Sequence, residues 1–301
     1  MNNFSPLRYP GGKSRLLGFV KEFLVLNGLE RGIYVEPFAG GGGLALGLLF
    51  SGYVSDVFLN DIDPGIYSFW LSITEHTDDF CSMIESAILS VEEWERQRSI
   101  YFCSASVLEK GFSTFYLNRT NRSGIIKSGG VLGGKAQRGH YLIDCRFNKA
   151  ELVRRIRRIA RYRDMIHVSS LDASQLIVSM DSSIGGRTLI FADPPYFAKG
   201  SSLYTNYYRA DDHEKLATSI GALTLPWLVT YDDHPKIREL YAWARPGVIE
   251  VDYSVNRHRR AQEICVARPG LCFPSGMVLE NCLNHTSTRR SCCAPTPNTR
   301  L

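Results

Sequence analysis

Two textures alternate along the apolar positions of the chain. Short runs rich in branched and aromatic residues, bounded by Gly, Asp or Asn, are the pattern of buried strands. They occur at residues 33–38, 57–61, 166–171, 188–193, 227–231, 248–253 and 261–267. Between most of them lie segments with apolar residues three and four apart, the spacing of a helix with one buried face. This alternation predicts an α/β fold around a mostly parallel sheet. The last two runs leave no room for a helical crossover, so they are expected to pair antiparallel as a C-terminal hairpin.

One interval breaks the rhythm. About a hundred residues separate the second and third predicted strands. They comprise an aromatic-rich helical stretch, a Gly-rich segment at 128–139 and an arginine-dense helical segment at 154–163. The expected organisation is a catalytic domain in two parts, 1–69 and 164–270, interrupted by a mainly helical inserted domain at 70–163. Residues 271–301 lose all periodicity and read as an irregular, Cys-rich tail.

Composition narrows the class. The chain has 301 residues, 44% of them hydrophobic, enough for a sizeable core. No apolar run approaches the roughly 18–20 residues that would cross a bilayer. The start, Met1-Asn2-Asn3-Phe4, lacks a charged-then-apolar leader pattern, so a cytoplasmic protein is expected. Of the eight cysteines, Cys81, Cys103 and Cys145 are scattered and expected to be buried. Cys265, Cys272, Cys282, Cys292 and Cys293 crowd the end without a Cys-x-x-Cys pair, so no metal site is expected. The net charge of +5 is modest, and its placement says more. Arg154, Arg155, Arg157, Arg158, Arg161 and Arg163 sit around an apolar stripe of Ile156 and Ile159, and a second basic group spans 256–260. Both suit nucleic-acid phosphates, and both also suit a solvated basic face.

Candidate chemistry starts at Asp193-Pro194-Pro195-Tyr196, directly after the fourth predicted strand. The prolines remove two N–H donors, leaving a rigid lip of acceptors suited to an exocyclic amino group, with the Tyr196 ring able to cover a base. The bland reading is a strand and a stiff turn. Upstream, Glu36-Pro37-Phe38-Ala39-Gly40-Gly41-Gly42 joins a strand to an apolar helix, the geometry of a nucleotide-type site or of a tight turn. Asp61 ends the next strand about twenty residues on, where ribose hydroxyls lie in doubly wound folds; it would also serve as a helix N-cap before Pro64. Tyr9-Pro10-Gly11-Gly12-Lys13-Ser14 ends like a phosphate loop, but no strand or earlier glycine supports that reading. It reads as a turn that could close over a cofactor.

Taken in order, the lysine turn, the glycine loop, Leu59-Asn60-Asp61, residues 117–124 and the Asp-Pro-Pro-Tyr lip resemble the Dam-type DNA adenine-N6 methyltransferases in their α motif order. The resemblance covers about residues 6–268. It implies a Rossmann-like class I methyltransferase sheet, S-adenosylmethionine as methyl donor and double-stranded DNA as substrate. It further implies catalysis by Asp193, Pro194, Pro195 and Tyr196, with Tyr196 stacking on an adenine flipped from the duplex. The cofactor would meet Tyr9, Lys13, Phe38, Gly40, Gly42, Asp61, Asp172 and Asp193. The insert would carry DNA recognition, through Arg8, Asn118, Arg119, Arg122 and Lys127. A monomer is expected. A restriction endonuclease partner, a phage enzyme and a solitary regulator all stay open, as does the target sequence, since 123–127 and 129–139 depart from the familiar GATC-reading pattern. The rival readings are an RNA adenine methyltransferase and a catalytically silent DNA-binding homologue.

Overall fold

The structure, a computed structural model, describes residues 4–9, 11–197, 208–254, 258–274 and 278–279. Its centre is an eight-stranded sheet. The strands are β1 (Gly32–Glu36), β2 (Val54–Asn60), β3 (Ile166–Ser169), β4 (Thr188–Ala192), β5 (Trp227–Asp232), β6 (Gly247–Ser254), β7 (His258–Ala267) and β8 (Val278–Leu279). Their order is β3-β2-β1-β4-β5-β7-β6-β8. The first five run parallel, β7 lies antiparallel beside β5, and β6 pairs antiparallel with β7 and β8.

Period-two alternation places two cores, one on each face. Along β4, Leu189 and Phe191 enter one core, while Ile190 and Ala192 enter the other. The second core is closed by α8 (Ala173–Ser183), α9 (Ala210–Gly221) and α10 (Pro235–Leu240), through Leu176, Leu216 and Ile237. The first is closed by α1 (Leu17–Leu26) and α2 (Gly43–Phe50), through Val20 and Leu46. Burial of both faces explains why these strands are almost continuously apolar.

The long interval between β2 and β3 contains five helices: α3 (Pro64–Glu75), α4 (Thr77–Ser86), α5 (Val91–Cys103), α6 (Val107–Thr120) and α7 (Lys149–Ala160). The helical run thus starts at Pro64, six residues before the expected boundary at 70. Asp63, Ser90, Ser106 and Asn148 cap four of these helices with side-chain oxygens. Phe69, Phe80, Phe115 and Phe147 stack between them and join the sheet core without a break.

Three expectations need correction. Cys81 is buried, but Cys103 closes an exposed helix end and Cys145 lies in an exposed loop. The start of the supposed tail is attached to the domain. The Asn27 side chain bonds both the N–H and the C=O of Cys272, Phe273 packs on Phe23, and β8 extends the sheet. Cys282, Cys292 and Cys293 lie outside the described residues. No helix among the described residues is long and apolar enough to cross a membrane.

Candidate active site

The strand order reverses between β1 and β4, and crevices for ligands open at such points beyond the strand C-termini. A cleft lies there. Tyr9, Lys13, Phe38, Gly40, Gly42, Asp61, Asp193 and Pro195 line it, together with Glu36, Asp63 and Tyr208. Segments far apart in the chain are thereby brought to one place.

Its floor is the glycine loop. Gly40 and Gly42 have φ of +46° and +56°, the left-handed region that favours glycine. Side chains there would also collide: a Cβ on Gly40 would lie 2.6 Å from the Tyr9 ring, and one on Gly42 2.6 Å from Trp70. The loop is pinned on both sides. Gly40 N–H donates to Asp61 Oδ2 at 2.9 Å, and Trp70 Nε1 donates to Gly40 O at 3.0 Å. Fully buried Asn60 ties the strand ends together, donating to Pro37 O and Leu171 O and accepting from Ser169 and Leu171.

Asp61 does not cap α3; Asp63 does, accepting from Gly65 and Ile66 with Pro64 at the first helical position. Asp61 instead accepts from the Asp63 and Gly40 N–H groups. Burial is the main reason that its carboxyl is raised to about 7, with Asp63 adding repulsion. Glu36 ends β1 and accepts from Tyr34 Oη at 3.1 Å and Ala45 N–H at 3.2 Å. Burial raises it to about 8.

The lip itself is an ion-paired cluster. Lys13, 6% exposed, places Nζ 3.0 Å from Asp193 Oδ1 and 3.1 Å from Glu263 Oε1. It also donates to Tyr196 Oη at 3.0 Å, and Tyr196 Oη donates to Glu263 Oε1 at 2.6 Å. Thr230 Oγ1 donates to Asp193 Oδ1 at 2.9 Å. Burial works against the Lys13 charge, but the two carboxylates prevail and hold its pKa well above the usual lysine value. Asp193 is raised to about 6, mainly by burial and further by Glu263, while Lys13 opposes. At neutral pH it is therefore an ionised acceptor beside a buried cation. One residue on, Phe197 N–H donates to Asp232 Oδ1 at 2.9 Å, tying the exit of the lip to the end of β5.

Two candidate residues are engaged with backbone groups. Asp172 caps α8, accepting from Ser174 and Gln175, and is not among the residues lining the cleft. Asn118 is fully buried. Its Oδ1 accepts from Arg8 N–H at 2.7 Å, and its Nδ2 donates to Arg8 O at 3.1 Å and Gly124 O at 2.9 Å. Both ends of the amide are spent on backbone, so the expected DNA contact is a buried clasp. It holds the strap that leads into Tyr9.

The other basic candidates gather near that strap. Arg122 is exposed on a loop closed by the Asn121–Val131 bridge. Lys127 lies 3.3 Å from Asp63 Oδ2 at the cleft. Arg119 donates to Pro6 O and Arg146 O, and its Nε is buried without a hydrogen-bond partner. Burial and the neighbouring Arg8, Arg155 and Arg146 bring Arg119 down to about 9.

The arginine helix is engaged with neighbouring groups. Arg154 and Arg155 pair with Glu151, and Arg155 also holds Ser5 O. Arg158 lies over Phe50, the last residue of α2, whose first residue, Gly43, lines the cleft. Of the second basic group, 256–257 lie outside the described residues and the side chains of 258–260 are likewise not described.

Glu263, Thr230, Glu36 and Trp70 escaped sequence reasoning as site residues. Glu36 and Glu263 carried a signal: each is a carboxylate beside apolar strand residues, Tyr34-Val35 and Ile264-Cys265-Val266. Such a position is costly unless the group is paired or protonated. Thr230 and Trp70 carried none.

A mostly parallel α/β sheet with a glycine loop at its switch point is consistent with a methyltransferase fold. The sequence model of the D12 class N6 adenine-specific DNA methyltransferases matches residues 9–256, and the chain belongs to that family. Its reaction is the transfer of a methyl group to N6 of adenine in DNA. No curated protein matches the chain.

Proposed function

We propose that the cleft binds S-adenosylmethionine and that residues 193–196 grip the target adenine of double-stranded DNA. The observation that carries this is the Lys13–Asp193 pair standing beside the positive-φ glycine loop. The side chains suit a cationic nucleoside. Gly40 and Gly42 line the cleft with positive-φ backbone packed under Tyr9 and Trp70, and Tyr9 and Phe38 offer apolar walls. Asp61 and Asp193 face the cleft as buried carboxyls, whose ionised forms a cation would favour. When bound, the donor supplies an electrophilic methyl group on a sulfonium.

The protein's share is acceptance and alignment. Asp193 and the Pro194 carbonyl accept the two amino hydrogens, which turns the nitrogen lone pair toward the methyl group. Tyr196 covers the face of the extruded base, offsetting part of the few kcal/mol that unstacking costs. Recognition belongs to the helical insert, roughly 70–163, with its loop at 121–131. Arg8, Arg119 and Arg122 are the proposed phosphate or base contacts, and Lys127 links that loop to the cleft through Asp63.

Calorimetry with S-adenosylmethionine, followed by methylation of duplex DNA, tests the reading. Wild type should bind the cofactor, and Asp193→Ala should lose transfer while keeping DNA affinity. An Asp193→Ala variant that methylates at the wild-type rate would remove the lip from the mechanism.

A further inference from the structure

Asp193 does not need Glu263 to pair with Lys13. A single aspartate already balances one buried lysine, yet β7 delivers a second carboxylate, 2% exposed, to the same ammonium. Burying an extra charge is unfavourable unless other groups use it. The group that does so is the Tyr196 hydroxyl, which is held between Lys13 Nζ at 3.0 Å and Glu263 Oε1 at 2.6 Å. The Lys13 nitrogen stands 5.0 Å from the centre of the same ring.

We infer that Glu263 is a positioning residue for methyl transfer: it anchors the Tyr196 hydroxyl and shares Lys13, which fixes the ring and leaves Asp193 available to the amino group. The inference rests on the proposed role of residues 193–196. It has an electrostatic consequence. Two carboxylates around one ammonium leave one net negative charge, which suits a donor that is cationic before transfer and has lost the sulfonium charge after it. Glu263 therefore favours S-adenosylmethionine over the thioether product.

Glu263→Gln keeps the shape and an acceptor oxygen but removes the charge. The expected kcat falls ten- to a hundredfold, with the KM for DNA within about threefold of wild type. The preference for S-adenosylmethionine over the thioether product, measured by calorimetry, should fall about tenfold. The acid limb of the kcat–pH profile should move to lower pH, because Asp193 loses a like-charged neighbour. The other groups acting on Asp193 stay in place: Lys13 before α1, Thr230 on β5, Tyr196, and Glu36 and Tyr34 on β1.

Tyr196→Phe gives an independent check, since it keeps the ring and removes only the anchored hydroxyl. It should also lower kcat, and the double variant should lose less than the product of the two single losses. Wild-type kcat in Tyr196→Phe, or an unmoved pH limb and unchanged cofactor preference in Glu263→Gln, would overturn the inference. Failure of the wild type to methylate DNA would instead count against the proposed function, so the two failures are distinguishable.

Discussion

Replacing Asn118 by alanine separates a buried clasp from a DNA contact. The amide makes three backbone hydrogen bonds, to Arg8 N, Arg8 O and Gly124 O, from a fully buried position. Each is worth about 1 kcal/mol net, and an orphaned buried N–H costs about 1–3 kcal/mol more. The total is about 4–6 kcal/mol. For a chain of this size each kcal/mol moves Tm by roughly 2–4 °C, so a fall of at least about 8 °C is expected. The strap from Arg8 to Tyr9 should loosen as well, so cofactor affinity should fall in parallel. Arg122→Ala is the control: Arg122 is exposed, and the change should stay within about 0.5 kcal/mol while weakening DNA binding. Thermal melts and DNA titrations at a temperature where both variants are folded decide the matter. If Asn118→Ala melts within 2 °C of wild type (~0.5–1 kcal/mol) yet loses DNA affinity selectively, the clasp argument fails.

Three further outcomes are expected. Asp61 and Glu36, raised to about 7 and about 8, sit above their unfolded values, so their contribution to stability is lost as pH rises through those points. The Tm of the ligand-free protein should therefore fall from about pH 4 and level off above about pH 8, and S-adenosylmethionine should reduce that fall more than its uncharged-sulfur product; a flat profile in thermal melts would refute this. Gly42→Ala forces a side chain onto Trp70 at a positive φ, and should weaken cofactor binding at least tenfold by calorimetry. Arg154→Ala and Arg158→Ala should leave the salt dependence of DNA binding unchanged, because those cations are held by Glu151 and Phe50; Arg122→Ala should flatten the slope by about 0.9 if it neutralises one phosphate.

Much of the architecture was legible because strand and turn signals are local. Every predicted strand run appears in the sheet, with ends shifted by a few residues, as at 54–60 where the reading began at 57. The glycine loop and the Asp-Pro-Pro-Tyr lip were readable because each combines conformational punctuation with a chemical group in consecutive residues. Asn118 misled because a polar residue beside Arg119 reads as exposed, and nothing local reveals that α6 packs it against a strap 110 residues away. The partners of the arginine helix were equally out of reach, since composition records charge and not that Arg158 lies over Phe50.

By itself the sequence determined the period of each strand and helix, the positions where only glycine fits and the order of the motifs, because these depend on neighbours within a few residues. Only the tertiary structure decided that Lys13 lies between Asp193 and Glu263, that Tyr196 is held by its hydroxyl, and that α6 clasps the strap leading to Tyr9. Those contacts join positions up to 250 residues apart. Their physical basis is burial: once the sheet excludes water, each charged or polar group must find its partner among whatever the fold brings near it.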